Sequence, residues 1–190
     1  MNTFSGQFVA VCYAIFFCYW IVASFWTKRT AERQGRWGRS TIIATAVLFL
    51  LLYITQRALP TFAGSRLWLD SPVIGIVAVL ATAAGLIVLL WARVILAGNW
   101  SADVVLKENH ELIVRGPYRY VRHPIYTGII LMALGGVLLW GTTTALVLMF
   151  LLPAFLWRKL LQEERLMTQH FPDAYPLYKA RVKALVPFVI

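Results

Sequence analysis

The densest group of polar side chains in this chain lies at residues 116–128, directly before a long apolar run. Three tyrosines, two arginines and a histidine occur there with two prolines. Because a proline disfavours helix at the preceding residue, we expect His123 to lie just before a helix that Pro124 begins. The free N–H groups at such a helix end can hold an anion. Gly128, one turn later, would allow a ligand to approach the helix closely.

A second candidate for chemistry is the adjacent pair Glu163 and Glu164, which follows the last apolar run. On a helix, Lys159 lies four residues before Glu163 and can form an ion pair with it. The residues at the equivalent spacings from Glu164 are Leu160, Leu161, Met167 and Thr168. A carboxylate in such surroundings needs a partner from elsewhere, and a cationic ligand is one candidate. We therefore expect Glu164, ahead of Glu163, to contact a ligand.

The composition indicates that membrane helices must position these groups. Of the 190 residues, 60% are hydrophobic and only 14% are charged, which excludes an ordinary soluble enzyme, a disordered chain and a nucleic-acid-binding module. The basic residues that give the net charge of +10 lie between the apolar runs, and in a membrane protein their distribution indicates the orientation. The two cysteines share one apolar run without a Cys/His cluster, so we expect neither a structural disulfide nor a metal site.

About 20 apolar residues of helix are needed to cross a bilayer. Gly141 and three threonines interrupt the last apolar block, residues 125–157, and predict a helical hairpin there. We therefore predict an all-α integral membrane protein with about five transmembrane helices, or four if this last block is a tilted or re-entrant pair. The predicted spans are 7–26, 40–59, 73–97, 125–140 and 143–157.

Lys and Arg residues concentrate in three segments, the loop 28–39, the segment 98–124 and the tail from residue 158. With five spans, all three segments fall on one side of the membrane, and the positive-inside rule makes that side cytoplasmic. We expect a prokaryotic inner membrane with the active site facing the cytoplasm.

The pattern Gly-x-Tyr-x-x-x-Arg-His-Pro-x-Tyr-x-Gly at 116–128 resembles that of the isoprenylcysteine carboxyl methyltransferase family and related membrane methyltransferases, including the phospholipid methyltransferases. The resemblance covers residues 98–190. Two positions depart from the family pattern, with Pro172 in place of a glycine and Ala184 in place of a frequent basic residue. The other residues that carry the resemblance are Gly98 to Ser101, His110 to Val114, Glu163, Glu164, Phe171, Asp173, Tyr175, Tyr178 and Pro187.

The resemblance implies an S-adenosylmethionine-dependent methyltransferase, with the cofactor bound over the mouth of a membrane cavity. Residues 1–97 would then hold the first three membrane helices with the basic loop 28–39, and residues 98–190 the cofactor-binding region with the hairpin. The implied cofactor-binding residues are His110, Leu112, Ile113, Val114, Tyr118, His123, Pro124, Tyr126, Glu163 and Glu164. Candidate catalytic residues are Glu164, Glu163 and Arg122, and candidate substrate-binding residues are Arg93, Asn99 and Trp100.

We expect a lipid-like or prenylated acceptor, with neither nucleic acid nor a metal among the partners. A carboxylate acceptor needs no general base, and Arg122 or Arg119 could orient it. An amine or phenol must lose a proton, which makes His123 or a glutamate the candidate base. The alternatives are an NADPH-dependent membrane sterol or enone reductase, which has a similar Arg-His-Pro-x-Tyr segment, and a non-catalytic lipid-binding protein.

The charge distribution predicts that the N-terminus faces the exterior, while the loop 28–39 and the C-terminus face the cytoplasm. Cysteines introduced at Ser40 and after Ile190 should therefore resist a membrane-impermeant thiol reagent in intact cells and react after lysis. Labelling of either cysteine from outside would contradict this orientation.

Overall fold

The computed structural model describes residues 3–26, 30–33, 66–68, 70–101, 105–107 and 111–189. Within them, three helices are long and apolar enough to cross a membrane, and a fourth apolar helix is 17 residues long. The predicted class, a helical integral membrane protein, is thereby confirmed. The predicted span 40–59 lies outside the described residues, so the total number of spans stays a prediction. The four helices are α1 (Thr3–Ser24), α2 (Pro72–Leu96), α3 (Pro124–Trp140) and α4 (Thr143–His170).

The polar segments form smaller elements at one end of these helices. Strands β1 (Thr30–Arg33) and β2 (Val105–Lys107) pair in antiparallel orientation, which the sequence did not predict. The pairing brings parts of two basic segments together. A short helix, α5 (Ala174–Arg181), follows α4, and 3₁₀ turns occupy Ala97–Asn99 and Gly116–Arg119.

The predicted hairpin is present, and its turn has a clear local cause. Gly141 adopts a φ of +61°, which favours glycine, and its N–H donates to Val137 O at 2.8 Å to end α3. Thr142 then caps α4, because its hydroxyl accepts a hydrogen bond from the Ala145 N–H. Helix α4 extends well beyond the predicted end at residue 157 and therefore carries Glu163 and Glu164 on a continuous helix.

Helices α2 and α3 pack closely because glycines meet at their contact. A Cβ atom on Gly128 would lie 2.6 Å from Gly85 O and 2.7 Å from Leu89 Cβ. At Gly135, a Cβ atom would lie 2.0 Å from Thr82 Oγ1. Small residues let membrane helices approach until their backbones touch. Gly128 therefore serves helix packing, and the expectation that it lets a ligand approach α3 is wrong.

This packing predicts that Gly135→Ala destabilises the protein. The added methyl group overlaps Thr82 and the Ala78 carbonyl, and overpacking of this kind costs about 1–3 kcal/mol. Thermal unfolding in detergent should show a lower midpoint for this variant. Gly75→Ala is the matched control, because among the described residues its Cβ would contact only the Ser5 side chain, at 3.0 Å. Equal midpoints for the two variants would contradict the assigned role of the glycine contact.

Candidate active site

A cleft opens where the 3₁₀ turns, the first turn of α3 and the second half of α4 meet. It combines aromatic rings, apolar side chains and a small number of charged groups, as ligand sites commonly do. The chain thus brings together residues from the segment 98–124 and from α4, as the sequence predicted. The predicted site residues that line the cleft are Asn99, Trp100, Leu112, Ile113, Tyr118, Arg122, His123, Tyr126 and Glu163.

The segment before α3 is held in place by the end of the chain. The Arg122 N–H donates to Lys183 O at 2.8 Å, and the His123 N–H donates to Ala184 O at 2.9 Å. The Thr127 hydroxyl donates to Leu185 O at 2.7 Å. We call residues 182–185 the C-terminal strap. Because the strap takes the His123 N–H and Pro124 has none, the expected anion site at this helix end lacks two of its donors.

Glu164 is buried in ion pairs with the protein itself. Arg122 Nε and Nη2 lie 2.8 and 2.6 Å from Glu164 Oε1, and Lys179 Nζ lies 2.6 Å from Oε2. The Glu164 side chain is only 4% exposed and does not line the cleft. Glu164 thus has the partners from elsewhere that its apolar helical surroundings require, and they are Arg122 and Lys179 of other elements rather than the cationic ligand considered from the sequence.

Glu163 faces the cleft instead. Its Oε1 accepts a hydrogen bond from the Tyr126 hydroxyl at 2.6 Å, and Lys159 Nζ lies 3.7 Å from the same oxygen. The ion pair with Lys159 that the helical spacing predicted is thus present. Neighbouring residues on a helix point about 100° apart. The face of α4 that carries Glu163 therefore lines the cleft, rather than the adjacent face that carries Glu164.

His123 lies between the two carboxylates and stacks on Tyr126, with ring centroids 5.4 Å apart. Its Nδ1 is 3.5 Å from Glu163 Oε2, and its Nε2 is 3.5 Å from Glu164 Oε1. Burial alone would lower the pKa of His123, but the two carboxylates outweigh it and raise the pKa above its usual value. The imidazolium form is therefore more stable at this position than it would be in water.

Two buried polar atoms of cleft residues have no hydrogen-bond partner among the described residues. They are His123 Nε2, whose contact with Glu164 is electrostatic at that distance, and Asn99 Oδ1. A buried polar atom without a partner costs about 1–3 kcal/mol. A polar ligand in the cleft could supply both partners.

Three other predicted site residues do not line the cleft. Arg93 is buried and donates to Ala97 O and Ala23 O, at 2.6 and 2.7 Å, with its guanidinium 4.9 Å from the Trp100 ring centroid. It therefore joins the ends of α1 and α2. Val114 is exposed, and Pro124 is buried at the start of α3. His110 lies outside the described residues.

Sequence reasoning missed several residues of the site. Lys159, Leu166 and Met167 line the cleft and lie at the i−4, i+3 and i+4 positions from Glu163. Helical spacing from Glu163 would have identified all three. Helical spacing could not have identified Lys179 as the second partner of Glu164, because Lys179 belongs to a different helix.

The buried ion pairs predict that Glu164→Gln destabilises the fold. The substitution leaves the buried Arg122 guanidinium without a counter-charge, and removal of one partner from a buried pair costs about 3–5 kcal/mol. Chemical unfolding in detergent should show this loss. Glu163→Gln is the matched control and should cost much less, because Glu163 is 25% exposed and Lys159 contacts it only at 3.7 Å. A larger loss for Glu163→Gln would contradict the arrangement.

The chain is similar to known proteins both in sequence and in fold. Residues 76–169 match the model of the isoprenylcysteine carboxyl methyltransferase family. The structure resembles that of the eukaryotic intramembrane Ras methyltransferase ICMT, with a TM-score of 0.50 and 18% identity, covering 80% of this chain and 53% of that one. At this identity, the likeness shows the fold alone.

Curated relatives match over the same region. A protein-S-isoprenylcysteine O-methyltransferase of Schizosaccharomyces pombe is 33% identical over 94 residues, covering 48% of this chain and 40% of the relative. Protein-S-isoprenylcysteine O-methyltransferase B of Arabidopsis thaliana is 32% identical over 84 residues, covering 44% of this chain and 43% of the relative. An uncharacterized protein of Bacillus subtilis is 32% identical over 104 residues, covering 55% and 58%.

The chain thus spans about half the length of the curated relatives that it matches. The matched segment includes the Arg-His-Pro motif and both glutamates of the cleft region. The resemblance to the isoprenylcysteine carboxyl methyltransferase family that the motifs predicted is therefore confirmed.

Proposed function

We propose that this protein is an integral membrane methyltransferase that uses S-adenosylmethionine and methylates an amphiphilic acceptor. The observation that carries the proposal is the ionised Glu163 in a cleft at the end of apolar helices, held by Tyr126 and next to the His123 ring. A cationic ligand is the natural partner of such a carboxylate among aromatic rings.

The residues of the cleft fit this cofactor chemically. S-adenosylmethionine supplies an electrophilic methyl group on a sulfonium centre, and it also carries an ammonium, a carboxylate and an adenosine. Glu163 and the rings of Tyr118 and Tyr126 suit the cationic groups. Leu112 and Ile113 suit the adenine ring, since they offer apolar contact. The unpartnered Asn99 Oδ1 and His123 Nε2 offer further hydrogen bonds to polar parts of a ligand.

Several expectations remain part of this proposal. The region 98–190 would form the methyltransferase part and 1–97 the first membrane helices, with the cleft facing the cytoplasm of a prokaryotic cell. Glu164 as a cofactor residue and Arg93 as a substrate residue have no support in the geometry, because both are committed to protein partners.

We place the acceptor with its polar head in the cleft and its apolar tail along the membrane helices. Two of the relatives carry the name protein-S-isoprenylcysteine O-methyltransferase, so an S-prenylated cysteine is the acceptor class to test first. The side chains of Asn99 and Trp100 would contact the head, because both line the cleft. Trp100 packs edge-to-face on Trp20 of α1, with centroids 5.2 Å apart, which extends the apolar wall toward the membrane.

The protein's own contribution to transfer is alignment and exclusion of water. Arg122 does not suit the predicted role of orienting an acceptor carboxylate. Its Nε and Nη2 bind Glu164, and its Nη1 donates to the carbonyls of Lys179 and Val182. Arg122 therefore builds the wall of the cleft. A carboxylate acceptor would need no base, whereas an amine or phenol would leave its proton to Glu163 or neutral His123.

Binding of S-adenosylhomocysteine to the detergent-solubilised protein, measured by calorimetry, tests the proposal. Wild type should bind, and Tyr126→Phe should weaken binding about fivefold, because the hydroxyl no longer holds Glu163 in place and loss of one hydrogen bond costs about 1 kcal/mol. Tyr120→Phe is the matched control, because Tyr120 is exposed and does not line the cleft.

Activity provides the second readout. Wild type should transfer a labelled methyl group to an S-prenylated cysteine in detergent micelles and should not oxidise NADPH in the presence of an enone. Absence of S-adenosylhomocysteine binding by folded wild type, or NADPH oxidation without methyl transfer, would refute the proposed function.

A further inference from the structure

Among the described cations that line the cleft, Lys159 makes the longest contact with a carboxylate. Its side chain is 16% exposed and lines the cleft, and it makes no hydrogen bond within the described part of the chain. Its Nζ lies 3.7 Å from Glu163 Oε1, which is beyond hydrogen-bond distance, and 5.6 Å from the Tyr126 ring centroid. Three ammonium hydrogens therefore remain available to an acceptor in the cleft.

The other described cations near the cleft are engaged, and the His123 ring already lies 3.5 Å from both Glu163 and Glu164. Every guanidinium nitrogen of Arg122 contacts Glu164 or a backbone carbonyl of the chain's last segment. Arg93 donates to two backbone carbonyls and does not line the cleft. Lys179 contacts Glu164 at 2.6 Å. At the start of α3, the His123 N–H is taken by Ala184 O, and Pro124 has no N–H.

Lys159 and Glu163 are close enough to attract each other but are not hydrogen-bonded to each other. Glu163 Oε1 already accepts the short hydrogen bond from Tyr126, so Lys159 adds only a longer electrostatic contact. Both side chains belong to α4, four residues apart, and both face the cleft. They therefore present a positive and a negative group side by side to any ligand that enters.

We propose that Lys159 and Glu163 together bind the amino-acid end of the cofactor, with Lys159 on its carboxylate and Glu163 on its ammonium. An α-amino acid carries these two charges on one carbon, so a neighbouring cation and anion can neutralise both at once. Charge-assisted hydrogen bonds of this kind are stronger than neutral ones. The inference rests on the proposed function and adds Lys159, which sequence reasoning treated only as the helical partner of Glu163.

Calorimetry with three probes tests this assignment on the detergent-solubilised full chain. The probes are S-adenosylhomocysteine, its decarboxylated analogue, which keeps the ammonium, and 5′-methylthioadenosine, which lacks the amino-acid part. Lys159→Gln should weaken S-adenosylhomocysteine about tenfold and leave both other probes unchanged. Glu163→Gln should weaken the first two probes and leave 5′-methylthioadenosine unchanged.

Two further variants control for charge and folding. Arg158→Gln removes the same charge from the adjacent residue, which is exposed and does not line the cleft, so it should leave all three affinities unchanged. Lys159→Arg keeps a cation at the site and should retain most of the affinity for S-adenosylhomocysteine.

Unchanged S-adenosylhomocysteine binding in Lys159→Gln would overturn the assignment, and so would equal weakening of all three probes. Unchanged cofactor affinity with a raised KM for the prenylated acceptor would instead assign Lys159 to an anionic group of the acceptor. If folded wild type does not bind S-adenosylhomocysteine, the proposed function fails as well. Binding by wild type with no effect of Lys159 refutes this inference alone.

Discussion

The arrangement of the candidate active site depends on one buried carboxylate, Glu164. It receives Arg122 from the segment before α3 and Lys179 from α5, and so joins three elements at one point. Removing such charges from water costs several kcal/mol per ion, which is offset only when the geometry and the remaining hydrogen bonds are complete. Here the last guanidinium nitrogen is satisfied by the carbonyls of Lys179 and Val182. The same interaction therefore fixes both the cleft wall and the C-terminal strap.

Glu164 forms the buried ion pairs with Arg122 and Lys179, and its neighbour Glu163 faces the cleft instead. Successive helix positions differ by about 100°, so two adjacent carboxylates on α4 meet different surroundings. Glu163 is bound by Tyr126 and remains partly exposed at the cleft, whereas Glu164 is nearly inaccessible. The negative charges of Glu163 and Glu164 both act on His123 and raise its pKa despite its burial. One sequence motif thus provides a buried structural anion and an anion that lines the cleft.

Local sequence signals predicted the two ends of α3 and several of the residues that line the cleft. Pro124 and Gly141 marked the two ends of α3, because their effects on the backbone are local. The sequence did not show that Glu164 is buried in ion pairs, because Lys179 and Arg122 lie 15 and 42 residues away from it, beyond any helical spacing. The prediction for Gly128 failed for a similar reason. A glycine in the sequence indicates that another group approaches the backbone closely, but only the fold shows that this group is Gly85 and Leu89 of α2. The strand pairing of β1 with β2 also depends on a distant partner.

The cleft is assembled by two joints of different physical character. The glycine contact between α2 and α3 fixes Asn99 and Trp100, which follow α2, relative to His123 and Tyr126 at the start of α3. This contact is made by uncharged groups, so salt does not screen it. The joint at Glu164 attaches α4, and its burial protects it from screening by salt. Between these two fixed walls, the longer contact between Lys159 and Glu163 is the charged interaction that a ligand can open with the least disturbance to the fold.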